Sequence, residues 1–563
     1  MRRLQVIANK WAPLSTGSSA PAPAKKMSPV AFGDSAVAHG HKSILSLLRS
    51  AAVLRSCRFT WLTKNAIPIL KRSEQLFGPY LTYQTVLRWT FFKQFCAGED
   101  HVEVKTTLKE LEAIDIGSIL DFAAEADAPT ASPNDPPEFG MKTLLSKKVN
   151  YNEANEKNYD ENMKYYLLCV GHASLMLPKT GVGFAAVKIS GLCDPQLLSR
   201  VTALQLFVRQ AWVTYVMDRP ESEHPLEECR VVGNIKMSPS DRFASHEHVG
   251  AGLKRLSNAS MTDEEVKAVL GLLDPQASGK VDYLRWCQLL STALLETRPS
   301  STAFTPLLHV MPQLTDHEKY LWSRLRRRLL CIVSMANELS VRVMIDAEQT
   351  FYQMAIDHLT REFQRKFNKK HPIVYNTYQC YLTITHQRVQ NDMLRAEAEG
   401  WVWAGKMVRG AYMLQERQTA AAYHYKSPIW DTKELTDKCY HDCSESIFQA
   451  IEANPTRPYG VLFGTHSRTS VAILSERVRG MKPNASNVSF AQLLGMSDDL
   501  TVPLARAGYT VFKYVPYGPV RETVQYLARR ALENGAVLSG DKKEEMDLIW
   551  MEIYRRFGLS SGK

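Results

Sequence analysis

Short apolar runs rich in Val, Ile and aromatic residues recur along the chain, separated by longer stretches whose apolar positions return at helical spacing. That alternation marks parallel strands joined by crossover helices. Eight runs are predicted as strands: Ser118 to Ala124, Gly183 to Ser190, Val341 to Ala347, Ile373 to Tyr378, Val402 to Arg409, Gly460 to Thr465, Val488 to Leu493 and Thr510 to Tyr514. From the second run onward, polar residues gather at the carboxyl ends: Lys188, Asp346, Asn376, Arg409, Thr465 with His466, Gln492 and Tyr514. An α/β fold of the (β/α)8 barrel type predicts that placement, because such barrels carry their chemistry at the carboxyl ends of the strands. A doubly wound open sheet wants a glycine-rich turn after its first strand, whereas Gly181-Val-Gly183 precedes a strand.

The alternation breaks once. About 150 residues separate the second run from the third, and a helical insertion is predicted over 220–315. Within it, Thr262-Asp-Glu-Glu265 caps a helix that enters a loop from Asp274 to Arg285, followed by a second helical pattern. The arrangement is EF-hand-like, with Asp274 at loop position 1, Ser278 at 5, Gly279 at the turn and Asp282 at 9. Calcium needs a bidentate carboxylate at position 12, where Arg285 stands, and position 3 is Gln276. The expectation is a degenerate structural unit that holds no metal. The remaining divisions are a targeting segment over 1–33, an N-terminal helical arm over 34–100, the barrel over 101–545 and a C-terminal helix or tail over 546–563.

Composition is that of a globular protein, 45% hydrophobic and 23% charged, with a net charge of +11. The positive balance calls for an anionic neighbour. Residues 1–73 hold twelve Lys and Arg against one acidic residue, Asp34, the pattern of a mitochondrial transit segment. No run approaches a membrane-spanning length, and ten scattered cysteines indicate a reducing compartment. The basic stretch Ser323 to Arg328 reads as a contact for anionic lipid, since no nucleic-acid module surrounds it. Cys439, His441 and Cys443 fall short of a zinc ligand set and read as a helix surface.

Four segments carry a resemblance: Lys406-Met-Val-Arg-Gly-Ala-Tyr412-Met-Leu-Gln-Glu416, Val343-Met-Ile-Asp-Ala-Glu348, Gln492-Leu-Leu-Gly-Met496, and Tyr514-Val-Pro-Tyr-Gly-Pro519 with Tyr526-Leu-Ala-Arg529-Arg530-Ala-Leu-Glu533-Asn534. Together they resemble the proline dehydrogenase family. The resemblance implies a distorted (β/α)8 barrel holding FAD without a covalent link. It further implies oxidation of L-proline to Δ1-pyrroline-5-carboxylate, with electrons passed to quinone at the matrix side of the mitochondrial inner membrane.

By the same resemblance, Lys188, Arg529 and Arg530 hold the substrate carboxylate, and Asp346 orders them. Tyr514, Tyr526 and Leu493 complete the substrate pocket. Paired guanidiniums are planar, permanently charged donors suited to a carboxylate. Cofactor contacts are implied for Asn376, Lys406, Val408, Gly410, Ala411, Met413, Thr465, His466, Gln492 and Glu533. Lys406 stands where many bacterial members carry arginine, and Asn376 where they carry glutamine. Members that prefer hydroxyproline carry serine where Tyr514 stands, so Tyr514 points to proline. The alternatives are a hydroxyproline dehydrogenase and a catalytically inactive barrel serving as a calcium-responsive scaffold.

Overall fold

The computed structural model describes residues 27–123, 149, 151–175, 181–219, 242–296, 302–422, 424–481, 487–537 and 542–559. Eight parallel strands close a barrel: β1 Gly117–Phe122, β2 Gly183–Val187, β3 Val341–Ile345, β4 Val374–Gln379, β5 Ala404–Val408, β6 Gly460–Gly464, β7 Val488–Leu493 and β8 Val511–Tyr517. Closure is made by β1, which pairs with β2 through Ile119 and Phe184 and with β8 through Gly117 and Phe512. Every predicted run is a strand, with ends moved by up to three residues. The second run stops at Val187 because Ile189–Gly191 turns into a short 3-10 helix.

Strand side chains alternate between two cores. One set fills the lumen: Ile119, Phe184, Met344, Tyr375, Leu462 and Phe512. The other set, including Val187, Ile345, Val374, Tyr378 and Met407, packs against the surrounding helices. The lumen is plugged at its amino end, where Arg342 donates to Tyr375 Oη at 2.9 Å and its guanidinium lies 5.6 Å from the Phe184 ring. Phe184 meets Phe512 edge-on at 4.7 Å. Space for chemistry is therefore left at the carboxyl end.

The N-terminal arm and the C-terminal helix Lys542–Arg556 pack together beside that end. Asp34 caps helix Ser35–His39, and Ser43 caps Ile44–Ser56. Leu47, Leu54, Phe95, Ile549 and Ile553 share one apolar cluster with Met496 and Tyr526. Arg556 donates to Lys42 O at 2.6 Å, and buried Asp498 bonds both Lys42 and Lys513. Residues 1–26 of the predicted targeting segment lie outside the described residues. The remainder of that segment rests on the barrel: Ser28 N donates to Ala507 O at 2.9 Å and Arg468 lies over Phe32. The packed arm thus begins before residue 34.

The insertion has a core of its own, built on the end of the helix after β2. Trp212 packs on Trp286 at 5.6 Å, and Trp286 Nε1 donates to Val208 O at 3.0 Å. Strands Phe243–Ser245 and Lys280–Asp282 pair antiparallel, joining helix His246–Leu256 to the helix-loop-helix Asp263–Leu273 and Tyr283–Leu295. The loop carboxylates already have partners. Asp274 accepts from Ser278 Oγ, Gly279 N and His246 Nε2 at 2.9–3.1 Å, and Asp282 takes Arg242 and caps Leu284 N. Arg285 donates to Leu272 O.

Two surface readings are corrected by packing. In the stretch Ser323 to Arg328, Arg324 and Arg328 both bind Glu156 and Asp160, and Arg326 binds Glu362. Arg328 is buried. Three of the four arginines thus tie helix Asp316–Glu338 to its neighbours, and Arg327 is the one left exposed. Cys439 and Cys443 are not on a helix surface either. Both are buried, and with Cys380 their sulfurs lie within 4.8 Å of one another. The helical spacing showed that they share a face, and the fold turned that face inward.

Candidate active site

The lumen parity that fills the amino end with apolar groups fixes what stands at the carboxyl end. Two residues beyond Ile119, Ala186, Met344, Ala404 and Phe512 come Asp121, Lys188, Asp346, Lys406 and Tyr514. Lys188 Nζ lies 2.6 Å from Asp121 Oδ1 and 3.9 Å from Asp346 Oδ2. Lys406 Nζ donates to Asp346 Oδ1 at 2.5 Å, and Tyr514 Oη donates to Oδ2 at 2.6 Å. All four charged groups are buried, Asp121 completely. Two carboxylates and two ammoniums alternate around the mouth, so the formal charges cancel. An unpaired ion here would cost several kcal/mol, roughly, in lost hydration.

Burial alone would raise the Asp346 pKa, but the Lys406 and Lys188 ammoniums outweigh it and hold the carboxyl below its ordinary value. Burial, reinforced by Asp121 and Asp346, pushes the Tyr514 phenol well above the usual tyrosine range. Tyr514 is a neutral donor at physiological pH, and Lys406 sits 5.4 Å from its ring centroid, within cation–π reach. Asp121 was missed from sequence. Its signal was the one that exposed Asp346, an acid at the end of an apolar run.

Helix Val524–Val537 brings the arginine pair. Arg530 is buried, donates to Glu533 Oε1 at 2.7 Å and lies 5.0 Å from the Tyr526 ring. Arg529 reaches the other way, to 5.7 Å from the ring of Tyr412 in the loop after β5. Adjacent helical residues diverge by about 100°, and the two guanidiniums accordingly flank the mouth from different sides. Tyr526 Oη is buried without a hydrogen-bond partner. Burial raises its pKa, Arg530 opposes, and Asp121 adds to the rise, which places Tyr526 within the field of the mouth. Leu493, half-buried at the end of β7, packs into the arm cluster.

Three residues expected at the cofactor face outward. Asn376 lies between Val374 and Tyr378, both in the helix-facing core, and its Nδ2 donates to Asp357 Oδ1 at 3.1 Å. Thr377 and Gln379 take the lumen-facing positions of β4. Gln492 donates to Thr465 O at 3.1 Å and accepts from Thr501 Oγ1 at 2.9 Å. Thr465 Oγ1 accepts from Arg409 Nη1 at 2.6 Å. A one-residue change of position flips the face, and the polar residue nearest the end of a run need not be the luminal one. Arg409 also reaches Asp437 and Ser470 and stacks on Tyr440, so it staples β5 to the helix layer.

The other cofactor candidates line the mouth. Val408 and Ala411 are half-buried, Met413 is exposed, and His466 meets Ser497 Oγ at 2.9 Å. Gly410 has φ +131°, and a Cβ there would come within 2.1 Å of the Tyr381 ring. Only glycine fits that approach. Glu416 accepts from Thr350 N and Oγ1, both at 2.7 Å, and so pins the start of the helix that follows Asp346. Glu533 is engaged by Arg530.

A closed barrel with balanced buried charges and an arginine-bearing helix across its mouth defines an enzyme of the (β/α)8 class whose ligand is small and charged. Residues 243–543 match the family model described as Proline dehydrogenase. The mitochondrial proline dehydrogenase 1 of Homo sapiens is 32% identical, over 96% of this chain and 92% of that protein, and that of Bos taurus is 32% identical over 94% and 89%. The hydroxyproline dehydrogenase of Xenopus laevis is 26% identical over 97% and 94%. Proline utilization A from Bdellovibrio bacteriovorus superposes with a TM-score of 0.49 at 16% identity, covering 84% of this chain and 36% of that one. The chain belongs to the proline dehydrogenase family.

Proposed function

We propose that this chain oxidises L-proline to Δ1-pyrroline-5-carboxylate in mitochondria, with FAD bound without a covalent link and quinone of the inner membrane as the final acceptor. The observation that carries the reading is Asp346, bonded at once to Lys406 and Tyr514, facing Lys188, beneath the helix of Tyr526, Arg529 and Arg530. A free amino acid presents a carboxylate, and Arg529, Arg530 and the ammonium of Lys188 offer it cationic donors in a site of low dielectric. Tyr526 Oη, buried with its donor unspent, suits the same group. Asp346 fixes the phenol of Tyr514, which then packs on the pyrrolidine ring.

The residues present fit a flavin along one wall. Gly464 has no side chain at the end of β6, and a Cβ there would already meet Val408 Cγ1 at 3.1 Å, so glycine keeps bulk off this strip of the wall. Lys406 borders that strip with a positive charge. When bound, FAD would supply the two-electron acceptor for the hydride leaving proline C5 as the amine nitrogen, its proton lost, forms the C=N bond. The residues that would hold it are Lys406, Val408, Gly410, Ala411, Met413 and His466, with Thr465, Gln492 and Asn376 supporting the wall from behind and Glu533 setting Arg530. The helix-loop-helix insertion is read as a structural EF-hand-like unit, because its carboxylates are committed to protein partners.

One spectrum tests the reading. Purified chain should carry flavin absorption that bleaches anaerobically on adding L-proline, and a protein without flavin would refute it. Substrate choice is tested on Tyr514→Ser in folded, flavin-loaded form. The ratio of kcat/KM for proline over trans-4-hydroxyproline should fall, because the phenol covers C4. A native preference for hydroxyproline would overturn the assignment of proline.

A further inference from the structure

Among the described residues, the largest group of exposed apolar side chains runs from Phe59 to Trp89, with smaller ones at Leu45 and Leu48 and from Met551 to Leu559. Helix Ala66–Pro79 contains no buried residue, and with Tyr80–Phe92 it forms a hairpin bent at Gly78, whose φ of 79° suits glycine. Ser73 Oγ meets Thr82 Oγ1 at 3.0 Å across the two arms, and Tyr83 Oη donates to Glu74 at 3.0 Å. The apex is open to solvent: Leu76 is 71% exposed, Phe77 63% and Tyr80 76%. Trp89, on the second arm, is 64% exposed, and Trp61, just before the hairpin, 71%. Among the described residues these are the exposed tryptophans, whereas Trp212, Trp286, Trp322, Trp401 and Trp403 are all fully buried. Soluble surfaces seldom gather large apolar groups this way without something to cover them.

Charge says what covers them. From Arg55 to Lys93 the sequence has seven Lys and Arg and one acid, Glu74. Glu74 is already spent on Arg521 at 2.6 Å and on Tyr83. Lys71 and Arg72 are exposed one turn behind the apex, and no carboxylate pairs with them among the described residues. Aromatic side chains beside uncompensated cations match the interface of an anionic bilayer, where rings settle at headgroup depth and ammoniums meet phosphates. A second copy of the chain on the same face would set these cations against their own images. No helix of the described residues is long and apolar enough to cross a membrane, so the contact lies in the surface plane.

We propose that the Ala66–Phe92 hairpin is a bilayer-docking device, with Leu76 to Leu81 seated among lipid headgroups and Lys71 and Arg72 on lipid phosphates. The hairpin packs against helix Val524–Val537, which carries Arg529 and Arg530. Docking therefore holds the mouth of the barrel beside the membrane. The consequence, access to an acceptor dissolved in that membrane, rests on the quinone reading given above, while the docking itself does not.

The test uses the full flavin-loaded chain and sedimentation with vesicles of phosphatidylcholine, with and without phosphatidylglycerol. The expected result is binding that needs the anionic lipid and weakens at about 0.5 M salt. Phe77→Asp with Tyr80→Asp, and separately Lys71→Glu with Arg72→Glu, should each weaken binding by about tenfold or more. Phe557→Asp, an exposed aromatic outside the hairpin, should leave binding unchanged. Turnover with a soluble dye acceptor should stay within about twofold in every variant, as none of the substituted side chains belongs to the cluster that holds Tyr526 and Leu493. Unaltered vesicle binding in both hairpin variants overturns the proposal, as does equal binding to neutral vesicles. A soluble dimer that becomes monomeric in the Phe77→Asp, Tyr80→Asp variant would assign the face to a second copy and overturn it too. Variants that lose vesicles yet keep full turnover with a lipid-dissolved quinone refute the acceptor reading and leave docking standing.

Discussion

Asp346→Asn is the sharpest probe of the charge-balanced mouth. The substitution keeps the shape and removes the charge that holds Lys406 at 2.5 Å and faces Lys188 at 3.9 Å. Two buried ammoniums would then share one buried carboxylate, Asp121. Breaking a buried ion pair from one side costs on the order of 3–5 kcal/mol, and the weaker Tyr514 bond adds to this. The expected loss is about 3 kcal/mol by urea unfolding at pH 7, since the asparagine oxygen still accepts a hydrogen bond. The pH dependence carries a second signature. Because the folded pKa of Asp346 is depressed, its contribution is complete above the unfolded value and is lost as pH falls through the folded one. The variant should lack that part of the acid-side slope. Adding Lys406→Met to Asp346→Asn removes the orphaned charge and should recover about half or more of the loss. Stability within about 0.5 kcal/mol of wild type for Asp346→Asn, or no recovery in the double variant, would refute the charge balance.

His39 is buried with neither ring nitrogen hydrogen-bonded, and burial, with Lys42 next, pushes its pKa down to about 3. The unfolded state takes up a proton near pH 6.5 and the fold does not, so stability should fall below that pH, by about 2 kcal/mol at pH 5, and His39→Leu should flatten the decline in a melting series. Arg530→Met should lower kcat/KM for proline by about 2–5 kcal/mol with flavin content retained, and unchanged turnover would exclude the carboxylate role. The loop from Asp274 to Arg285 should bind calcium in about the millimolar range at best by titration calorimetry, and micromolar binding abolished by Asp274→Ala would overturn the structural reading. Gly410→Ala should displace Tyr381 and lower flavin content, read from the visible spectrum of the purified protein.

The sequence by itself determined the barrel, because each strand is a short apolar run and eight of them recur with helices between. It also marked Lys188, Asp346 and Tyr514, each two residues past a luminal apolar position, whereas on the fifth strand the pattern marked Arg409 and the luminal charge is Lys406, named only through the family resemblance. What it could not assign was the face of a polar residue when neighbours on both sides were polar or apolar alike. Asn376, Thr465 and Gln492 sit within one residue of a luminal position and turn away from it, toward Asp357, Arg409 and Thr501. Asp121 went unmarked because its partner, Lys188, is 67 positions away and only barrel closure joins them. Cys380 reaches Cys439 and Cys443 in the same way, across the boundary between strand and helix layers. Pairings between distant strands depend on register and closure, which are settled by the whole sheet at once, whereas periodicity is settled by the residue and its neighbours. The hairpin at Ala66–Phe92 is the reverse case: its apolar residues are plain in the sequence, and only the fold left them uncovered.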